Sequence, residues 1–151
     1  MLWIITCARS GMYGRADSAG EWASLSGRCH CFIYSVERIE PYCNILEPVW
    51  RRGGIVTSDL TLLEVLVKPF KAGDRLLQGI YPDLLDAEEI ERVPLSPVLL
   101  EQAASLRAAT GIKTPDAIHA ACALARKAVL FISNDKALQC IPELPFAYLN
   151  N

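Results

Sequence analysis

From Phe32 onward the chain alternates short apolar runs with amphipathic stretches, and this alternation limits the fold more than any other feature of the sequence. Strands separated by helices are joined by long crossovers, which place them parallel in one sheet with helices on both faces. IVTS at 55–58, IERVPLS at 90–96, VLFISN at 129–134 and FAYLN at 146–150 read as the strands, VLFISN being of the continuous apolar kind buried on both sides. FIYSVE at 32–37 reads as a strand end or a first helical turn, and the longer CHCFIYSV is acceptable in a sheet.

The helices between them carry their own punctuation. An amphipathic stretch from Tyr42 to Trp50 is closed by Gly53-Gly54. Ser58 or Asp59 can cap LTLLEVLVKPF, where Leu60, Leu63, Val67 and Phe70 recur at helical spacing and Pro69 and Gly73 end the helix. The next helix starts at Asp74 and is expected to break near Pro82. Ser96-Pro97 at one end and Gly111 at the other delimit PVLLEQAASLRAATG. Thr114-Pro115-Asp116 opens the alanine-rich AIHAACALARKA in the same way, with Thr114 as capping hydroxyl, and KALQCI gives a short helix before the last strand. The expected architecture is a three-layer α/β/α fold around a parallel sheet of about five strands, the first of them damaged. In such folds function gathers outside the carboxyl ends of the strands.

Composition narrows the setting. At 151 residues, 52% apolar and 21% charged, the chain has enough interior for one core and is not disordered for most of its length. A formal charge of −2 gives no global basic field, so a nucleic-acid partner would need local basic residues, a metal, or both. Arg51, Arg52, Lys68, Lys71 and Lys113 are candidates for phosphate contact, although scattered cations are ordinarily solvated surface. No run approaches the roughly 18 apolar residues of a membrane span, and the opening shows no convincing signal peptide, so a cytoplasmic protein is expected. Cys7, Cys29, Cys31, Cys43, Cys122 and Cys140 form no C-x2-C pair and are expected to be free thiols. Cys29-His30-Cys31 has no second ligand pair to complete a tetrahedral zinc site.

Residues 1–31 are of another character, with Gly, Ser, Arg, Cys and Trp in no sustained period. The chain therefore divides into an atypical segment, 1–28, and a domain, 29–151.

Three carboxylates fall at or near strand ends: Glu64 on the helix after IVTS, Asp116 at the opening of the TPDAIHAA helix, and Asp135 directly after VLFISN. Gathered in one pocket, they would repel one another and raise their own pKa values unless a divalent cation neutralised them. Hard oxygen donors suit Mg2+ or Mn2+, and a cation so held can activate water and stabilise a phosphodiester transition state. Each acid also has a plain reading: Asp116 as a first-turn acid favoured by the helix dipole, Asp135 as a turn or cap residue, Glu64 as a solvated helix position.

SDLTLLEVLVKPF with Glu64, TPDAIHAACAL with Asp116, and FISNDKAL with Asn134 and Asp135 resemble, in order and spacing, the successive motifs of the PIN-domain family, especially its VapC-like toxins. FIYSVE resembles the end of that family's first motif, so the likeness spans about residues 32–150. It implies a five-stranded parallel sheet, a divalent-metal site of three or four acids, and endonucleolytic cleavage of RNA. It also implies a homodimer and a small antitoxin partner. By position Glu64, Asp116 and Asp135 match the metal-site acids, Ser58, Thr114 and Asn134 match supporting polar positions, and His119 matches a packing histidine.

The pattern breaks at its first strand, which in the family ends in an aspartate four or five residues before the phenylalanine of FIY. Here Gly27 and Arg28 stand there, and a guanidinium opposes cation binding. Asp17 lies too far upstream to substitute. Codons for Leu25-Ser26-Gly27-Arg28-Cys29-His30-Cys31, read one base later, can spell Tyr-Leu-Asp-Ala-Ala-Thr-Val, which resembles the absent strand. A single-base loss just before Phe32 would produce this, leaving residues 1–31 out of frame; without a properly formed first strand, low stability or an ill-ordered segment 1–27 is expected. The competing readings are a ribonuclease impaired by the missing acid, and a catalytically inactive PIN-fold binding module or pseudogene product. A phosphate-binding α/β domain is weaker, since no Gly-rich phosphate loop is present.

Overall fold

In a computed structural model, which describes residues 4–7, 32, 36–38, 42–52, 54–133 and 135–148, one sheet has the strand order β3-β2-β1-β4-β5. The strands are β1 (Ile4–Cys7), β2 (Ile55–Ser58), β3 (Ile90–Val93), β4 (Ala128–Ser133) and β5 (Phe146–Tyr148). The helices are α1 (Tyr42–Arg52), α2 (Asp59–Ala72), α3 (Arg75–Leu85), α4 (Pro97–Thr110) and α5 (Thr114–Ala125), with a 3-10 turn at Lys136–Cys140.

β2 pairs parallel with β3, and β4 with β5, as alternation with helices requires. β1 differs. It runs antiparallel to both neighbours, with Ile5 opposite Val56 on one side and Phe131 on the other. Among the described residues the centre of the sheet is filled by Ile4–Cys7, and the sheet is parallel except at this middle strand. Phe32 and Val36 are helical, so at those two positions FIYSVE takes its helical reading; the rest of CHCFIYSV lies outside the described residues. Residues 8–31, including the Cys29-His30-Cys31 tripeptide, lie outside the described residues.

Side chains alternate across β2 and build a core on each face. Ile55 joins Phe32, Leu46, Val65, Tyr81 and Leu85 on the face covered by α1, α2 and α3. Val56 joins Leu99, Ala121, Phe131 and Leu138 on the face covered by α4 and α5. α5 is buried nearly all round, and its alanines at 117, 120, 121 and 123 allow the close approach to the strands that larger residues would prevent.

Helix ends follow the sequence signals in part. Ser96 Oγ accepts from Leu99 N–H at 3.3 Å and Gly111 closes α4 with φ +73°, as its Pro-to-Gly asymmetry predicts. Gly73 ends α2 at φ +66°, but Pro69 does not end it; the helix runs through to Ala72. Pro82 likewise lies inside a continuous α3, because the buried Tyr81 and Leu85 flanking it hold that helix on the core. Such packing offsets the roughly 3 kcal/mol that proline costs in a helix. Thr114 is the first residue of α5, and its cap position is Lys113, with no side-chain cap.

The stripe Leu63, Val67 and Phe70 also turns out differently. These residues are exposed, at 62%, 43% and 63%, while Thr61, Val65 and Pro69 are the buried positions of α2.

Candidate active site

Because β2 and β4 both oppose β1, they run parallel to each other, and Ser58 and Ser133 finish at the same edge of the sheet. Both serines are fully buried. The segments leaving this edge carry Glu64 one turn and a half into α2 and Asp135 two residues beyond β4, and the α5 N-terminus brings Asp116.

Asp116 is the buried member, 2% exposed, and its Oδ1 has no hydrogen-bond partner among the described residues. An uncompensated buried carboxylate oxygen is costly. Burial first, then the charge of Asp135 and to a lesser degree that of Glu64, push its pKa from 3.8 up to about 6, with Lys113 opposing. The three acids thus share one electrostatic neighbourhood.

Two of them are engaged locally. Asp135 caps the 3-10 turn, its Oδ1 accepting from Ala137 N–H at 2.9 Å, while its own N–H donates to Ser133 Oγ at 2.8 Å. Glu64, half-buried, has Oε2 3.2 Å from Nε2 of His119. His119 is completely buried on α5, and its Nδ1 is 3.3 Å from Ser58 Oγ. Burial holds the imidazole pKa below its ordinary value, against the hydrogen bond and charge of Glu64, so the ring is neutral and the contact is a hydrogen bond, not an ion pair. A neutral ring carries one N–H; directed to the carboxylate, it leaves Nδ1 to accept the Ser58 hydroxyl. Ser58, at the cap position of α2, makes no cap bond.

In donor chemistry this edge fits a hard divalent cation: oxygen ligands, mutual repulsion, and one buried oxygen lacking a partner. Among the described residues, however, no three His, Cys, Asp or Glu side chains converge into a group able to hold an ion. Of the supporting residues, Ser58 touches His119, Thr114 is exposed at the start of α5, and Asn134 lies outside the described residues. Sequence reasoning placed His119 as packing and missed its bond to Glu64. The signal was faint, a histidine three residues after Asp116 on an alanine-rich helix.

The basic candidates divide. Arg51 pairs with Glu47 and Lys68 with Glu37, whereas exposed Lys113 acts on Asp116 at the acidic edge. Cys122 and Cys140 are free thiols; burial pushes Cys122 up to about 12, which makes it unreactive. No helix among the described residues is long and apolar enough to cross a membrane.

Comparison with known proteins gives two findings. A family profile described as the PIN domain matches residues 30–144. Among solved structures, VapBC2 from Rickettsia felis, crystallised with a DNA fragment from their promoter, superposes with a TM-score of 0.62 at 21% identity, covering 80% of this chain and 93% of that one. No curated protein matches the sequence significantly.

Proposed function

Because the chain belongs to the PIN domain family, we propose that it is a divalent-cation-dependent endoribonuclease of the toxin–antitoxin kind, impaired by the loss of its first acid. The observation that carries this reading is Asp116: a buried carboxylate with an unpartnered oxygen, its pKa raised by burial and by two neighbouring acids. The helix dipole favours an acid in the first turn of α5 but leaves this buried oxygen without a partner, and a cation is the natural counterpart.

Glu64, Asp116 and Asp135 would hold Mg2+ or Mn2+, which when bound supplies an activated water and positive charge against a phosphodiester transition state. The chain's own contribution is positional. Ser133 fixes the backbone of Asp135, His119 holds Glu64, and Lys113 presents a cation to an approaching phosphate. RNA is the proposed substrate and the cytoplasm the proposed setting. A small VapB-like antitoxin is the proposed partner, for which the exposed Leu63, Val67 and Phe70 offer an apolar face, and a homodimer is the proposed assembly.

A second reading is favoured by one observation. β1 runs against its neighbours, so Cys7 ends opposite Ala128, at the edge away from the acids, and among the described residues no carboxylate follows β1 into the site. On that reading the chain is a silent PIN fold that binds a partner without cleaving RNA. Mn2+-dependent cleavage of single-stranded RNA, run beside Asp116→Asn, decides between them. Cleavage by the wild type that disappears in the variant supports the nuclease; cleavage surviving in both removes the proposed site; none in either leaves the silent fold.

A further inference from the structure

His119 joins three elements. It stands on α5, receives Ser58 from the end of β2 at Nδ1, and faces Glu64 of α2 at Nε2, with contacts of 3.3 and 3.2 Å. The ring is fully buried, while Glu64 is a partly exposed side chain with 20% of its surface in solvent. A glutamate on a helix surface samples several rotamers about its side-chain torsions. A rigid buried donor at one carboxylate oxygen removes most of that freedom, leaving Oε1 as the oxygen available elsewhere. Burial of α5 fixes the ring, and the Glu64 carboxylate, which can only accept, selects Nε2 as the nitrogen that keeps the proton, leaving Nδ1 to accept from the Ser58 hydroxyl.

We propose that His119 is the positioning residue of Glu64: the buried ring, as its Nε2–H tautomer with Nδ1 accepting from the Ser58 hydroxyl, fixes the Glu64 carboxylate in place at the acidic edge. There the charge of Glu64 acts on Asp116. The consequence for cation binding rests on the function proposed above; the hydrogen-bond chain itself does not. A histidine placed only to fill space would need partners for its nitrogens but would be indifferent to which nitrogen meets Glu64.

Two amide variants separate these roles, since the Gln amide nitrogen reaches the place of Nε2 and an Asn amide ends at the place of Nδ1. Mn2+ affinity is read by calorimetry on the full chain at neutral pH, and the ring tautomer by 15N NMR of the wild type without metal. The proposal expects an Nε2–H tautomer, a Mn2+ affinity within about 3-fold of wild type in His119→Gln, and a loss of about 10- to 100-fold in His119→Asn. Equal affinity in the two variants where the wild type binds Mn2+, or an Nδ1–H tautomer in the wild type, overturns it. The tautomer reading needs no variant to fold. If the wild type binds no Mn2+ yet shows Nε2–H, the metal reading fails and the orientation of Glu64 by His119 stands.

Discussion

Asp135, at the end of β4, is the charged group that does most after burial itself to raise the pKa of Asp116 on α5. The two acids come from segments separated by a helix and a strand, and the charge of Asp135 nevertheless acts on Asp116. Their repulsion is stored in the metal-free protein.

That repulsion sets a pH dependence. The folded pKa of Asp116 lies above its ordinary 3.8, at about 6, so the folded state binds the proton more tightly than the unfolded chain. The folded protein is therefore favoured below pH 4, loses that advantage as pH rises from about 4 to about 6, and carries the full cost above. A shift of this size corresponds to at most about 3 kcal/mol. Asp116→Asn is expected to raise the metal-free melting temperature at pH 7.5 by several degrees and to change it little at pH 4, measured by circular dichroism. Equal shifts at both pH values would count against an ionised, unrelieved Asp116.

Added Mn2+ reverses the ranking. A ligand that binds only the folded state stabilises it by mass action. Wild type is expected to melt about 4–8 °C higher at a saturating concentration, and Asp116→Asn to gain almost nothing. Stabilisation of both proteins alike would place the ion elsewhere.

How much of this was legible from the residues differs from element to element. α4 was readable at both ends because Ser96, Pro97 and Gly111 act through local backbone chemistry that tertiary contacts did not override. Pro69 and Pro82 gave false stops, since burial of their neighbours outweighed a local penalty. The stripe on α2 misled because periodicity finds an apolar face without saying whether this chain or another covers it. Glu64, Asp116 and Asp135 were singled out as candidates from their places after strands and from motif resemblance; the electrostatic action of the other two on Asp116 is visible only in three dimensions. The orientation of β1 and the His119–Glu64 bond depend on chain direction and three-dimensional meeting, which spacing does not encode.

Arg92, on β3, binds Asp59 at the start of α2 at 2.9 Å and Asp86 at the end of α3 at 3.0 Å. Its side chain is 29% exposed, so the pairs are screened only in part. Arg92→Met is expected to cost about 1 kcal/mol in urea unfolding at low salt and less in 1 M NaCl. A cost that does not fall with salt would assign the effect to packing.

The exposed α2 stripe predicts a dissociation of stability from association. Phe70→Ser, at a 63% exposed position, should change unfolding free energy by less than about 0.5 kcal/mol, while Val65→Ala, fully buried on the same helix, should cost about 1–3 kcal/mol. Phe70→Ser should also weaken capture of a VapB-like partner by at least about 10-fold in surface plasmon resonance. Unchanged capture would move the partner to another face.

The reading-frame proposal is tested at the gene. Sequencing should find that restoring one base before Phe32 encodes Tyr-Leu-Asp-Ala-Ala-Thr-Val in place of Leu25–Cys31. The restored chain should bind Mn2+ at least about 10-fold more tightly than the present one, since a fourth carboxylate joins the site. An intact frame with no aspartate codon in the shifted reading would end the proposal.

A β-sheet's hydrogen bonds accept a strand of either polarity, and Ile4–Cys7 satisfies its neighbours while pointing backwards. Whether such a chain melts cooperatively therefore says little about whether it can act. Screens that sort variants by solubility or thermal shift alone would retain this arrangement; only a ligand that reads the carboxylate edge would distinguish a sheet threaded forwards from one threaded in reverse.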